Sequence, residues 1–461
     1  MVVYGGDEVS AVVLDIGTST TRAGYAGEDS PKSIIPTSYG YVPARDGKEA
    51  QHYFGQAGPN VWRAHQRVLN PCQDGIVVDW DAAEQLIHSS LTGQLRIPSL
   101  ADSPLLTTEP SWNTKANRER MLEIAFETWQ APAYYTVDRA VLAAFSAGKG
   151  TALIVDIGQE LATVTPVFDG FVLRKAIQKS SLAGGLLNTS LSTSFRTQQP
   201  PLQVRPHYLV KSKTPVEPGQ PANAVYREER MPHFAPAPVA AAEGDAVMQD
   251  SNAGPTEDDI TTASFHAYAE AKVMTEYKET TAAVFDHPWD EKAVTQRGSK
   301  PFEFPDGFNT YFGMHRYAIP EVLFNPRFLP AAFTHLPSPS AHSGSTIPTP
   351  APGESVSIPH MIINAVNACD ADVMPQLLLN IVVVGGTTSM PGFTDRLQRE
   401  MESLSGSLKV KIHAPGNSVE RKYASWLGGS ILASLGTFHQ LWISAAEYKE
   451  QGKTIINKRA R

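Results

Sequence analysis

The stretch LDIGTSTTRAGYAGEDSPKSIIP, residues 14–36, puts an acid, a glycine, hydroxyl residues and an arginine directly after an apolar run. VVLD, ending at Asp15, reads as a buried strand. Gly17 permits a tight turn and lets a ligand approach the backbone closely. Consecutive N–H groups in such a turn make an anion-binding concavity. Thr18 and Ser19 add hydroxyl donors, and Arg22 adds a permanent positive charge. This set suits a phosphate. Asp15 would repel a bare phosphate, so it belongs there only with a cation or water shell between them. Mg2+ fits that role, because it keeps several waters and needs few carboxylates. An ordinary strand–turn–strand with polar turn residues fits the same letters.

The pattern recurs. LIVDIGQELAT, residues 153–163, is again an apolar strand ending in Asp-Ile-Gly, here Asp156 to Gly158, followed by a second strand. Self-similarity of this kind predicts two related lobes, each offering one phosphate-gripping hairpin. A third element, IVVVGGTTSMPGF, runs from a buried strand into Gly385 and Gly386. The double glycine leaves room for a flat ligand against the backbone, and Pro391 precedes the helix FTDRLQREM.

Around these elements the chain alternates strands and helices, which predicts an α/β fold. Residues 113–130 read as an amphipathic helix with Met121, Ala125, Thr128 and Trp129 on one stripe. Residues 138–147 read as a short helix stopped by Gly148, and Asp169-Gly170 as a hairpin turn. Two proline-rich stretches, 198–264 and 336–359, lack apolar periodicity and read as flexible insertions.

With 461 residues the chain predicts two lobes rather than one compact domain. A formal charge of −8 argues against a surface that coats nucleic acid. The two cysteines, Cys72 and Cys369, exclude a disulfide framework and point to a reducing compartment. The opening MVVYGGDEVS lacks a signal peptide's basic and apolar regions, and no apolar run is long enough for a bilayer, so no membrane partner is expected. The terminal NKRAR is either part of a nuclear signal or a frayed basic tail.

Longer segments carry a family resemblance. DGIVVDWDAAEQLIH, LTTEPSWNTKANRERMLEIAFETW and ERKYASWLGGSILASLGTFHQLWIS occur in this order, and through them the chain resembles the actin family over nearly its whole length. Within that family it is most similar to the nuclear class of actin-related proteins. The resemblance implies the two-lobed fold shared by actin and the Hsp70 ATPase, with nucleotide in a central cleft. Residues 1–146 would form the first lobe, with a small subdomain at about 37–74 and completion by 423–461. Residues 147–422 would form the second.

The resemblance also implies a site for ATP and Mg2+. Asp15, Gly17, Thr18, Ser19 and Arg22 would form the first phosphate clamp, and Asp156 and Gly158 the remains of the second. Asp15 and Asp156 would organise Mg2+ through water. Gly184, Lys278, Glu279, Gly385, Gly386, Thr387 and Met390 would surround ribose and adenine, with Lys422 closing the far side. Lys278 and Glu279 fit equally as a solvated charge pair on a helix.

The departures from actin bear on function. Arg139 stands where the family carries its hydrolytic glutamine, and Thr163 where it carries a histidine. In-line attack on a γ-phosphate needs a positioned water, and a guanidinium offers no acceptor. Glu160 replaces a glycine beside the phosphates. Filament surfaces differ too. YVPARDGKEA, residues 41–50, shortens one polymerisation loop, the second insertion falls near another filament contact, and Asp74 replaces the histidine that actin methylates. The expectation is therefore a non-enzymatic, non-polymerising subunit that holds ATP in nuclear chromatin-remodelling and histone-acetyltransferase complexes. A filament-forming cytoskeletal ATPase is the alternative, and a sugar kinase or chaperone of the same superfold is a further one; a chaperone needs a substrate-binding domain after the ATPase. Phe145, Ile431, Leu432 and Leu435 either line a groove for a long helix of a motor or scaffold subunit, with nuclear actin alongside, or are plain core. Histones or nucleosomal DNA would be reached indirectly.

Overall fold

The Val12–Ile16 strand is buried along its entire length because both of its edges are paired and both of its faces are covered. In this computed structural model, which describes residues 11–45, 47–232, 256, 258–330, 333, 347 and 349–460, it pairs antiparallel with Thr20–Tyr25 and parallel with Leu105–Glu109. The sheet is completed by Ser33–Pro36 on one side and by Ala133–Asp138 and Ile443–Ser444 on the other. A second sheet repeats the plan. Ala152–Ile157 pairs antiparallel with Ala162–Phe168 and parallel with Ile381–Val384. Phe171–Val172 and Ile412–His413 flank that set, and Gln178–Ser180 joins Ala162–Phe168. Asp169 and Gly170 both adopt positive φ, as the predicted two-residue hairpin turn requires.

Each sheet has its own core. Leu14, Leu86, Leu105, Tyr134 and Trp426 centre the first, and Val155, Leu187, Phe195, Tyr277 and Leu397 the second. Between the sheets lies a small cluster built on Ala140, Ala143 and Ala144 of the Arg139–Ser146 helix, packed on Ala152, Ile154 and Val384. The alanines let this helix sit close to the second sheet. Its other side meets the Ala424–Ser434 helix at Gly428, where a Cβ would lie 2.0 Å from the Leu142 carbonyl oxygen. Backbone thus touches backbone where the two halves join. Among the described residues no helix is long and apolar enough to cross a membrane.

Several expectations change. The predicted helix 113–130 is α-helical over Lys115–Glu123 and then widens into a π-helical turn, Ile124–Thr128, closed by the Trp129 N–H on the Ile124 carbonyl. The extra residue in that turn rotates Thr128 into solvent and keeps Trp129 buried, so the stripe breaks at Thr128. The first insertion begins later than expected. Val210–Thr214 and Asn223–Tyr226 form an antiparallel hairpin. It is held by Arg227 on the Tyr208 and Val210 carbonyls and by a Lys213–Glu303 ion pair. Polar and backbone contacts rather than an apolar stripe order this segment, which is why apolar periodicity did not reveal it. Residues 233–255 and 257 lie outside the described residues. In the second insertion Ile358 and Pro359 already open the helix Ile358–Asn367, and Thr349 is buried. Residues 334–346 and 348 lie outside the described residues.

Candidate functional site

The two hairpins face each other across a cleft of about 970 Å³, its open mouth included. Asp15, Gly17, Thr18, Ser19 and Arg22 line one wall, and Asp156, Gly158 and Thr163 the other. Gly385, Gly386 and Lys422 close one end, and Arg139 lies on the floor. The tight fit of the third element explains its first glycine. Gly385 has φ +91, and a Cβ there would lie 2.5 Å from an Asp156 carboxylate oxygen.

The turns match closely. The Gly17 N–H donates to the Thr20 carbonyl at 3.1 Å, and the Gly158 N–H to the Leu161 carbonyl at 2.9 Å. In each turn the next two N–H groups, of Thr18 and Ser19 and of Gln159 and Glu160, have no backbone partner among the described residues. Two concavities of unpaired N–H groups facing one cleft suit the phosphates of a nucleotide.

Five predicted residues lie outside the cleft wall. Gly184 and Thr387 both bond the Gly158 carbonyl, at 3.0 Å and 2.8 Å, and so buttress the second turn from behind. Lys278 is buried and donates to the Gly184 carbonyl at 2.6 Å, so the solvated-pair reading does not hold for it. Burial pulls its ammonium down to about 8 despite the neighbouring Glu279. Glu279 itself is exposed, and Met390 is buried.

The aspartates differ sharply. Asp15 Oδ2 accepts from Arg22 Nη1 at 2.5 Å, and Oδ1 accepts from the Thr108 hydroxyl at 2.5 Å with Arg139 Nε 3.4 Å away. Burial pushes its pKa up, but the two guanidiniums and Thr108 outweigh it and hold the group below the usual carboxylate value. Asp156 has no ion pair or hydrogen bond to its carboxylate among the described residues, and burial raises its pKa. Asp138, which caps the helix carrying Arg139, is pushed up to about 6 by burial.

Arg139 is pinned. Besides Asp15 it donates to the Thr108 hydroxyl at 3.2 Å and to the Ile16 carbonyl at 2.5 Å. Glu160 lines the cleft and reaches across it. Its carboxylate accepts from the Asp74 and Gly75 N–H groups of the opposite lobe.

Sequence reasoning missed the contacts that bridge the lobes. Lys179 and Asp74 form a fully buried ion pair at 2.6 Å. Lys179 also lies 4.4 Å from the centre of the Trp112 ring and donates to the Ile347 carbonyl. Further out, Trp62 donates to the Thr261 hydroxyl, the His65 N–H to the Ile260 carbonyl, and the Thr262 hydroxyl to the Gln66 carbonyl. These partners are far apart in sequence and carry no local signal. Only the acid-for-histidine exchange at Asp74 hinted at a changed contact.

The family described as Actin matches residues 6–461. The chain belongs to the actin family. The two-lobed actin-type α/β fold expected from the sequence is therefore the fold of this chain. It is similar to actin-related protein 4 of Emericella nidulans, at 40% identity over 99% of this chain and 98% of that protein. It is also similar to actin-related protein 4 of Schizosaccharomyces pombe, at 39% over 99% of each. A second protein of Schizosaccharomyces pombe, named as a subunit of the SWI/SNF and RSC complexes, is 36% identical over 97% of each chain.

Against an actin-type cleft, the nucleotide and the cation fit differently. The paired turns, Arg22 and the glycines at 385 and 386 suit a nucleotide. Of the two aspartates expected to organise Mg2+, Asp15 has both oxygens engaged, and only Asp156 stays open to a hydrated ion. The apolar patch behaves as a surface in part. Ile431 and Leu435 are exposed, at 37% and 39%, while Phe145 and Leu432 are half-buried. Leu435 lies just past the helix end at Ser434, so it does not share a helical face with Ile431 despite standing four residues on.

Proposed function

We propose that this chain is a non-polymerising, ATP-holding structural subunit of nuclear chromatin-remodelling and histone-acetyltransferase complexes. The relative named for SWI/SNF and RSC complexes supports the assembly class. The observation that carries the reading is Arg139. It occupies the floor of the cleft where an acceptor must orient water, and it is held there by Asp15, Thr108 and the Ile16 carbonyl. Water next to it gains no general base. Thr163 adds a hydroxyl but no titrating group in the physiological range.

Nucleotide here acts as a wedge between the hairpins. The contacts from Asp74 to Lys179 and from Trp62 to Thr261 lie across the lobes, so release requires breaking them. A ligand that binds only the folded state then adds stability, about 2.7 kcal/mol at a hundred times its dissociation constant. The exposed Ile431 and Leu435 suit the apolar face of a partner helix, and the half-buried Phe145 is proposed to complete the groove. In the assembly that helix belongs to a motor or scaffold subunit, with actin alongside and the nucleosome reached indirectly.

The test is retention. The full chain loaded with ATP and gel-filtered is expected to still carry ATP rather than ADP after hours at working temperature, read by chromatography of the released nucleotide. Conversion to ADP at an actin-like rate contradicts the reading.

A further inference from the structure

Asp15 is the first-lobe carboxylate that would organise a hydrated cation, and its charge is already met. Arg22 takes one oxygen, Thr108 takes the other, and Arg139 Nε stands 3.4 Å from the second. A divalent ion brought to this carboxylate must displace a guanidinium or sit beside two positive charges. Among the described residues no group of three His, Cys, Asp or Glu side chains is arranged to hold a metal ion. Meanwhile both guanidiniums keep donors in reserve beside the phosphate turns. Arg139 Nη1 and Arg22 Nη2 make no hydrogen bond among the described residues. Arg22 lies directly behind the first turn, its Nη atoms 3.7 and 3.8 Å from where a Cβ on Gly17 would be. It also sits 5.0 Å from the centre of the Tyr423 ring, a position that favours a cation held out of water.

We propose that the phosphates in this cleft are held without a resident divalent cation, the Arg139 and Arg22 guanidiniums supplying the positive charge. This rests on the nucleotide reading above. Guanidiniums suit the task, since their planar forks pair with phosphate oxygens and their charge does not titrate. The substitution that removes the water-orienting group thereby also replaces the metal. A nucleotide without bound metal loses the Lewis acid that would neutralise charge developing on a leaving phosphate, which agrees with a holding role.

The test is calorimetric titration of the full chain, stripped of nucleotide, with ATP, once in excess EDTA and once in millimolar Mg2+. The two dissociation constants are expected to agree within about threefold. In Arg139→Gln, which removes one of the two positive charges beside Asp15, EDTA is expected to weaken ATP about tenfold or more and Mg2+ to restore it. A wild-type protein that binds ATP in Mg2+ but loses about tenfold in EDTA overturns the inference and leaves the nucleotide reading standing. Binding in neither condition overturns both. An Arg139→Gln protein with wild-type affinity in EDTA overturns the role of Arg139. If that variant does not fold, electron paramagnetic resonance of the wild-type ATP complex, gel-filtered after Mn2+ addition, decides the matter. No tightly bound Mn2+ is expected, and one per nucleotide refutes the proposal.

Discussion

The two Asp-Ile-Gly hairpins share register and turn but not electrostatics. In the first, Asp15 lies opposite Arg22; in the second, Asp156 lies opposite Thr163 at the same step of the ladder. Both turns close on a carbonyl three residues ahead of the glycine. Both central strands pair in parallel with a strand from farther along the chain. Yet one aspartate is in direct contact with two guanidiniums that outweigh its burial, and the other makes no ion pair or hydrogen bond among the described residues, so that burial outweighs the pull of the same two arginines at longer range. The repeated backbone is what the fold needs, and the unequal side chains are what the cleft presents. The first hairpin is self-neutralised and positively equipped toward the cleft. The second is braced from behind instead, by Gly184, Thr387 and, through Gly184, by Lys278.

The largest expected effect tests that asymmetry directly. Arg22→Ala leaves Asp15 with Arg139 as its remaining charged partner. Truncating one side of a buried ion pair costs ~3–5 kcal/mol, and with Arg139 still present about 3 kcal/mol is expected. Thr163→Ala at the matching step removes a hydroxyl with no hydrogen bond among the described residues and is expected to cost under ~1 kcal/mol. Urea unfolding of both variants at one fixed nucleotide concentration checks this. Equal losses would show that the two hairpins are equivalent after all.

The bracing of the second hairpin makes a pH prediction. Lys278 is buried, with its folded-state pKa drawn down to about 8 from an ordinary 10.5. Below about 8 both folded and unfolded chains carry the proton, and the folded chain bears the cost of a buried ammonium. Between about 8 and 10.5 the folded chain releases the proton while the unfolded chain keeps it. The unfolded state then binds more protons, and stability rises with pH across that window. The span corresponds to roughly 3 kcal/mol. Lys278→Met lacks this titration. The stability advantage of wild type over variant is therefore expected to grow from pH 7 to pH 10.5, as read by denaturant midpoints at each pH. A difference that stays flat would mean that Lys278 does not carry a buried charge behind Gly184.

The legible and the illegible parts of the molecule divide along the same line. Both hairpins, the Gly385–Gly386 end and the α/β alternation were readable because each is written in consecutive residues: an apolar run, an acid, a glycine. Arg139 and Thr163 were readable as departures because the resemblance assigned their positions. The π-helical turn at Ile124–Thr128 was not, since one extra residue per turn leaves the apolar spacing nearly unchanged until Thr128. The hairpin at Val210–Tyr226 escaped because its strands are largely exposed and tied by Arg227 and by backbone. The engagement of Asp15 by Arg139 and of Asp74 by Lys179 joins residues more than a hundred positions apart, and no local pattern encodes such pairs. Lys278 illustrates the limit most clearly. Its sequence neighbourhood, TEYKET, fits a solvated helix surface as well as a nucleotide wall, and only the fold puts it beneath Gly184.

The smallest effect on stability is the most informative about the ligand. Neither turn glycine has the positive φ that would demand glycine, so the requirement must come from space. At Gly17 a Cβ would lie 3.0 Å from the Thr20 carbonyl, a tight contact that the turn must yield to accommodate. At Gly158 the nearest atom would be the Leu161 carbonyl at 3.5 Å, an ordinary contact. Gly158→Ala is therefore expected to leave the unfolding free energy without nucleotide within ~0.5 kcal/mol of wild type, helped by a less flexible unfolded chain. Gly17→Ala is expected to cost about 1 kcal/mol. The new methyl at Gly158 would still stand where the second turn faces the cleft, beside the Gln159 and Glu160 N–H groups. If those groups cradle phosphate, the melting-temperature rise on adding ATP shrinks in Gly158→Ala while the melting temperature without ATP does not move. An undiminished ATP shift in that variant would mean that the first hairpin alone holds the phosphates. The second Asp-Ile-Gly turn would then be a structural echo of the first, not half of a clamp.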